Sequence, residues 1–218
     1  AWLTSAGSDE AILNKTVQSL PRELSLDDSG ALRIQPLREL EKLRSDPTEI
    51  RDIAIDHPVK GHGDTVPPTE APALKPLASL NNPAFEVRIR LARHEIERKL
   101  FGFVIFADDG QGLPIIFRPD SGTVRLGDGE APFAVTDLTA GENLELRIFV
   151  DHYLVEVFVN NRQALVAVYP DYADRRTLAA FSVGQPTQIE SITMWKLTPT
   201  HRGGWEARER PVWIPDEE

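Results

Sequence analysis

Residues 146–170 read LRIFVDHYLVEVFVNNRQALVAVYP. Leu146, Ile148 and Val150 fall on one face and Arg147 and Phe149 on the other, the period-2 alternation of a strand lying between core and solvent. Asp151, His152 and Tyr153 make the connection, after which Val155, Val157 and Val159 alternate with Glu156 and Phe158. Asn160-Asn161 tolerates the positive φ of a tight hairpin, and Ala164 to Tyr169 runs on as a third strand. Three strands joined by short turns form a meander, so the fold is expected to be built from sheet.

Working outward, the same grammar recurs. Phe85, Val87, Ile89 and Leu91 alternate with Glu86, Arg88 and Arg90, while Phe101 to Ala107 is a continuous apolar run suited to a strand buried on both faces. RHEIERKL between them fits a helical turn or a wide hairpin. Leu113 to Phe117 and Thr123 to Leu126 flank the turn Asp120-Ser121-Gly122, and Leu178 to Val183 and Ile189 to Leu197 complete the second half. Nearer the start, Pro21 to Leu26 and Ala31 to Ile34 form a hairpin about Asp27-Asp28-Ser29-Gly30. Leu37, Leu40 and Leu43 sit at helical spacing, predicting one or two helical turns that end before Pro47, and Arg51 to Asp56 is a short strand. His57 to Leu80, rich in proline and glycine, reads as a long surface loop. The expected architecture is all-β, a two-sheet antiparallel sandwich of jelly-roll or lectin-like type with one short helical segment.

FVDHYLVEVFVN resembles the C-terminal module of the family 32 glycoside hydrolases, the invertases, levanases and inulinases, where a strand ending in V-D precedes one reading V-E-V-F. SLPRELSLDDSGALRIQPLREL, near the start, resembles that family's passage from catalytic domain into sandwich, LPRELSL followed by a Q-P-x-x-E-L element. The resemblance spans roughly Leu20 to Leu197. It implies a division into residues 1–19 from the propeller or linker side, residues 20–198 as the sandwich, and residues 199–218 as a tail. It also implies that Asp151 and Glu156 are structural, Asp151 in the turn and Glu156 cross-strand or facing the neighbouring domain. In the family, catalysis belongs to an N-terminal five-bladed β-propeller with aspartates in W-x-N-D-P-N-G and R-D-P segments and a glutamate in an E-C segment. None of these occurs here: Phe117 to Asp120 reads F-R-P-D, and the chain has no cysteine. A retaining glycosidase needs two carboxyls about 5 Å apart across the scissile bond, and no pair here has a motif behind it. The chain is therefore expected to carry no catalytic residues, within a parent protein that resembles a β-fructofuranosidase.

Composition agrees with a lone module. The 218 residues can bury a substantial core as one domain. A net charge of −10 opposes nucleic-acid binding, which needs clustered Lys and Arg, and reads as solubility. Without cysteine there are no disulfides or thiolate metal sites, which suits either redox compartment; a secreted or periplasmic location is favoured over the cytoplasm. No apolar run reaches membrane-spanning length, and Ala1-Trp2-Leu3 begins without Met or a signal peptide, like a cut edge.

His57, His62 and Asp64 are a conceivable zinc set, but in a Gly/Pro loop they lack a fixed scaffold, so no metal or cofactor is expected. Trp205 and Trp213, in GGWEARERPVW, are the candidate carbohydrate-binding residues, since a flat aromatic face suits the C–H face of a sugar ring. They are equally suited to clamp a C-terminal tail onto the sandwich. Two functions follow: an accessory module packed against the propeller of an enzyme acting on sucrose, levan or inulin, or a free-standing carbohydrate-binding module. An apolar patch on the side reached by Trp2 and the Leu20 hairpin favours the first, with the propeller as partner or with self-association. An exposed aromatic platform favours the second, with a fructan or oligosaccharide as partner.

Overall fold

The computed structural model describes residues 2–3, 17–56, 74–97, 100–108, 111–168 and 177–199, with the backbone alone at Trp2, Leu3, Val17 and Gln111. The strands in order are β1 (Trp2–Leu3), β2 (Val17–Gln18), β3 (Arg22–Leu26), β4 (Leu32–Pro36), β5 (Arg44–Ile55), β6 (Lys75–Ser79), β7 (Ala84–Leu91) and β8 (Phe101–Asp108). They continue as β9 (Gln111–Arg118), β10 (Thr123–Leu126), β11 (Gly129–Pro132), β12 (Leu144–Asp151), β13 (Leu154–Val159), β14 (Gln163–Val168), β15 (Thr177–Ser182) and β16 (Thr187–Leu197). A 3-10 helix spans Arg38–Leu43, another Val135–Asp137, and one α-helical turn, α1, spans Arg93–Ile96.

Two six-stranded sheets face each other. Sheet I runs β11-β10-β9-β8-β15-β6 and sheet II β14-β13-β12-β7-β16-β5, every pairing antiparallel. The opening meander is β12, β13 and β14, with Ile148 opposite Val157 and Val157 opposite Leu165. Its turns occur where the side chains allow, His152 at φ 54° and Asn160 and Asn161 at 48° and 52°. The inward rows of sheet II, Val87, Ile89, Ile148, Val155 and Val157 among them, close on Phe101, Phe103, Ile105, Phe117 and Val124 of sheet I. Phe101 stacks on Phe117 with centroids 4.9 Å apart. Strand β8 is buried on both faces as its apolar run predicts: Val104 turns away from the main core into a second cluster with Ile116, Ala179 and Phe181. Gly102 is required there, because a Cβ would run into the Ile115 carbonyl and the Phe181 ring.

The structure departs from the sequence reading at three places. The helical turns end at Leu43, before Pro47 as expected, but Pro47 itself lies inside β5, which runs for 12 residues instead of the short strand expected from Arg51. This is sterically allowed because β5 is the edge of sheet II and its register with β16 slips at Met194/Lys196, with Asp46 at φ 47°, so no ladder hydrogen bond is required of the proline nitrogen. The end of the expected Pro/Gly loop is a strand, β6, which pairs with β15 at the edge of sheet I. Third, the outward face of the meander is not solvent: Arg147, Phe149, Glu156 and Phe158 are all buried.

Candidate functional site

The face of sheet II turned away from the core is covered by the segment running from Ser19 through the β3–β4 hairpin and the 3-10 helix at Arg38–Leu43. Charged residues do the fastening. Glu156, 1% exposed, accepts the Leu20 backbone N–H at 2.5 Å and the Arg22 guanidinium at 2.9 Å. Arg22 also lies over the Phe158 ring, 5.5 Å from its centroid. The Ile34 N–H donates to the Asn161 carbonyl at the meander's turn, which holds the hairpin to the end of β13. The hairpin's own turn is organised by Asp27, whose carboxylate accepts from the Ser29 hydroxyl and N–H, the Ala31 N–H and the Arg33 guanidinium and is held well below the usual carboxylate range.

A second cluster lies alongside. Glu86 is fully buried on β7 and accepts two Arg44 bonds, each 2.7 Å, and one from Arg147 at 2.8 Å. Arg44 stacks over Trp195 at 4.3 Å from its centroid and Arg88 lies 5.4 Å from the same ring. Burial opposes charge at both arginines. At Arg44 the bonds to Glu86 and the nearby Glu41 outweigh it and raise the pKa. At Arg88, 3.8 Å from Glu41 and beside Arg44 and Arg147, burial prevails and the pKa falls. Each of these buried carboxylates is thus hydrogen-bonded by arginine, Glu86 by Arg44 and Arg147 and Glu156 by Arg22.

At the end of this face a pocket of about 560 Å³ opens between the covering segment and the sheet. Leu20, Leu40, Leu43, Phe149, Leu154 and Leu197 give it apolar walls. Asp151 and His152, paired at 2.7 Å, stand at its side. The fold therefore brings Asp151 and Glu156 to one pocket, but Glu156 is already bound by Arg22 and the strap's backbone, which supports the structural role expected of it. Trp205 and Trp213 lie outside the described residues, as do His57, His62 and Asp64, and the side chain of Trp2 is likewise not described. Among the described residues no group of three or more His, Asp or Glu side chains is placed to hold a metal ion, and no helix is long and apolar enough to cross a membrane.

The large hydrophobic side chains left exposed among the described residues are Leu24, Leu26 and Leu32, at 66%, 70% and 51%. They share one face of the hairpin, since Leu26 pairs with Leu32 and Leu24 with Ile34. The Glu86–Arg44–Arg147 cluster had no signal in the sequence, because Arg44 and Glu86 are 42 residues apart and carry no motif.

A family model for the C-terminal region of the glycosyl hydrolases of family 32 matches residues 39–196. This chain belongs to that family. Its module is 30% identical over 187 residues to the raffinose invertase of Escherichia coli, covering 83% of this chain and 34% of that enzyme. Similar folds occur in fructan 1-exohydrolase IIa from Cichorium intybus, at TM-score 0.66 and 17% identity over 90% of this chain and 44% of that one. Exo-inulinase from Aspergillus awamori gives TM-score 0.59 and 16% identity over 85% of this chain and 37% of that one. The family 32 module thus spans about a third of the length of the curated relative and less than half of these solved structures.

Proposed function

We propose that the chain is the non-catalytic β-sandwich of an enzyme acting on fructose-containing sugars such as sucrose, levan or inulin, and that it docks onto and stabilises a catalytic propeller. In this reading residues 1–19 come from the propeller or linker side, residues 20–198 are the module and residues 199–218 are a tail. The observation that carries the proposal is the hairpin. Leu24, Leu26 and Leu32 present an unshared apolar face on an element fastened to the sheet by Glu156 and Asn161. The relatives' names, raffinose invertase, fructan 1-exohydrolase and exo-inulinase, supply the substrate class. The saturation of Glu86 and Glu156 by arginine supports a module without chemistry of its own.

The test pairs an activity assay with a binding assay. The chain alone should release no fructose from sucrose, levan or inulin above buffer. It should bind a separately expressed family 32 propeller, and Leu24→Asp with Leu26→Asp should abolish that binding without altering its far-ultraviolet circular dichroism. Failure to bind any such propeller, with saturable sub-millimolar affinity for fructo-oligosaccharides that is lost in Trp205→Ala or Trp213→Ala, would transfer the function to glycan binding.

A further inference from the structure

Where β5 slips against β16, a second pocket of about 200 Å³ opens beside the turn that joins β6 to β7. Met194 pairs with Thr48 and Lys196 with Ser45, so Asp46 and Pro47 together stand opposite Trp195 alone, and Asp46 takes a φ of 47°. A bulge of this kind re-aims side chains, and here it brings Asp46 to the pocket beside Lys196, whose ammonium it meets at 2.9 Å. The buried Leu80 and Phe85 and the partly buried Met194 supply an apolar floor. Trp195 adds to the lining and is held under the Arg44 guanidinium. Asn82, whose side-chain amide donates to the Ala84 carbonyl, lines both this pocket and the larger one beneath the covering segment.

We propose that this pocket binds one sugar ring through a pair of neighbouring hydroxyls. Its rim carries one carboxylate and one ammonium already paired with each other, so it offers no net charge to an ionic ligand. It does offer an acceptor in Asp46, a donor in Lys196, and both in the Asn81 amide and the Thr48 and Ser79 hydroxyls, all on exposed residues. Vicinal hydroxyls donate and accept at once and so satisfy such a rim, while the ring's C–H groups cover the apolar floor. The slip in the β5–β16 ladder fixes Asp46 and Lys196 on their two strands before any ligand arrives, which lowers the ordering cost of binding. A space this small admits a single ring and not a chain, so the dissociation constant should be on the order of millimolar. Furanose and pyranose rings both carry such hydroxyls, and the experiment distinguishes them. The proposal does not depend on docking to a propeller, since none of Leu24, Leu26 and Leu32 lines this pocket.

The whole chain, isotope-labelled, is titrated separately with methyl fructofuranoside and methyl glucopyranoside while its backbone amide spectrum is recorded. At least one of the two should shift the amide signals of Thr48, Asn81 and Lys196 saturably, and the one that does names the ring. Asp46→Asn keeps a residue that accepts a φ of 47° but removes the carboxylate, and Lys196→Met keeps the alkyl stem but removes the ammonium. Each should weaken binding about fivefold or more, with unchanged circular dichroism. Trp205→Ala and Trp213→Ala should leave the affinity as it was. Absence of saturation by either sugar up to about 100 mM overturns the proposal. So do shifts confined to residues of the larger pocket, or an affinity that survives both Asp46→Asn and Lys196→Met.

Discussion

Removing the Glu86 carboxylate should be the most damaging conservative-sized change on the outer face of the module. Glu86→Ala deletes the acceptor of two Arg44 bonds and one Arg147 bond while leaving both guanidiniums in place, 12% and 11% exposed. The remaining carboxylate, Glu41, is 46% exposed and reaches Arg44 at 3.1 Å and Arg147 at 3.6 Å, so it can neutralise one of them at most. Breaking a buried pair by removing one partner costs about 3–5 kcal/mol, because an uncompensated buried charge remains. In a chain of this size that corresponds to a fall in Tm of about 6–20 °C. Urea unfolding followed through Trp195, which Arg44 covers, gives the free energy directly. The triple replacement Glu86→Met, Arg44→Met and Arg147→Met should recover most of the loss, since apolar residues of similar length need no counter-ion. A single-variant loss below about 1 kcal/mol, the range of solvent-exposed pairs, would refute the claim that this cluster is dehydrated.

Two further outcomes follow from packing and titration. Val157→Asp should prevent folding, because Val157 is fully buried between Ile148 and Leu165 and an unpaired carboxylate there costs several kcal/mol; a melt shifted by only a degree or two would mean the strand register is wrong. Burial alone would raise the pKa of Glu142, but hydrogen bonds from the Thr139 N–H, Arg162, Asn160 and the Thr139 hydroxyl hold it at about 2 against an ordinary 4.5. A lowered folded pKa means the unfolded chain takes up the proton first, so this stabilisation is complete above about 4.5 and is lost as pH falls towards about 2. Acid titration of stability should therefore be flatter in Glu142→Gln than in the parent chain, and parallel curves would show that Glu142 contributes nothing.

The sequence revealed most where side chains alternate under one dominant force. In VEVFV the valines alone account for the inward row, and the Asn160-Asn161 turn follows from two residues that accept positive φ. Local rules failed where a distant partner decided the outcome. Pro47 is a stop signal by propensity but is tolerated on an edge strand beside a register slip, and Lys75–Ser79 becomes a strand through its pairing with β15. Arg147 and Phe149 read as facing solvent because alternation distinguishes two faces but does not say what covers the second, on which Glu156 also lies. That cover arrives from Leu20 and Arg22, whose hydrogen bonds to Glu156 span 136 and 134 residues.

The pairing of β5 with β16 has a consequence for synthesis. Ser45 bonds to the Lys196 carbonyl across 151 residues, so during N-to-C-terminal synthesis β5 has no neighbour in sheet II until nearly all of the described chain has been made. Throughout that interval it is an open strand, the kind of edge on which nascent chains add to one another. Its outward composition, with Asp46, Pro47, Glu49, Arg51 and Asp52 exposed and a register slip between Ser45 and Thr48, makes it a poor template for another strand. The irregularity that hides β5 from a reading of propensities thus also protects the unfinished polypeptide, and straightening it, for example with Asp46→Val and Pro47→Val, should lower the soluble yield on expression more than it changes the Tm of the protein that does fold.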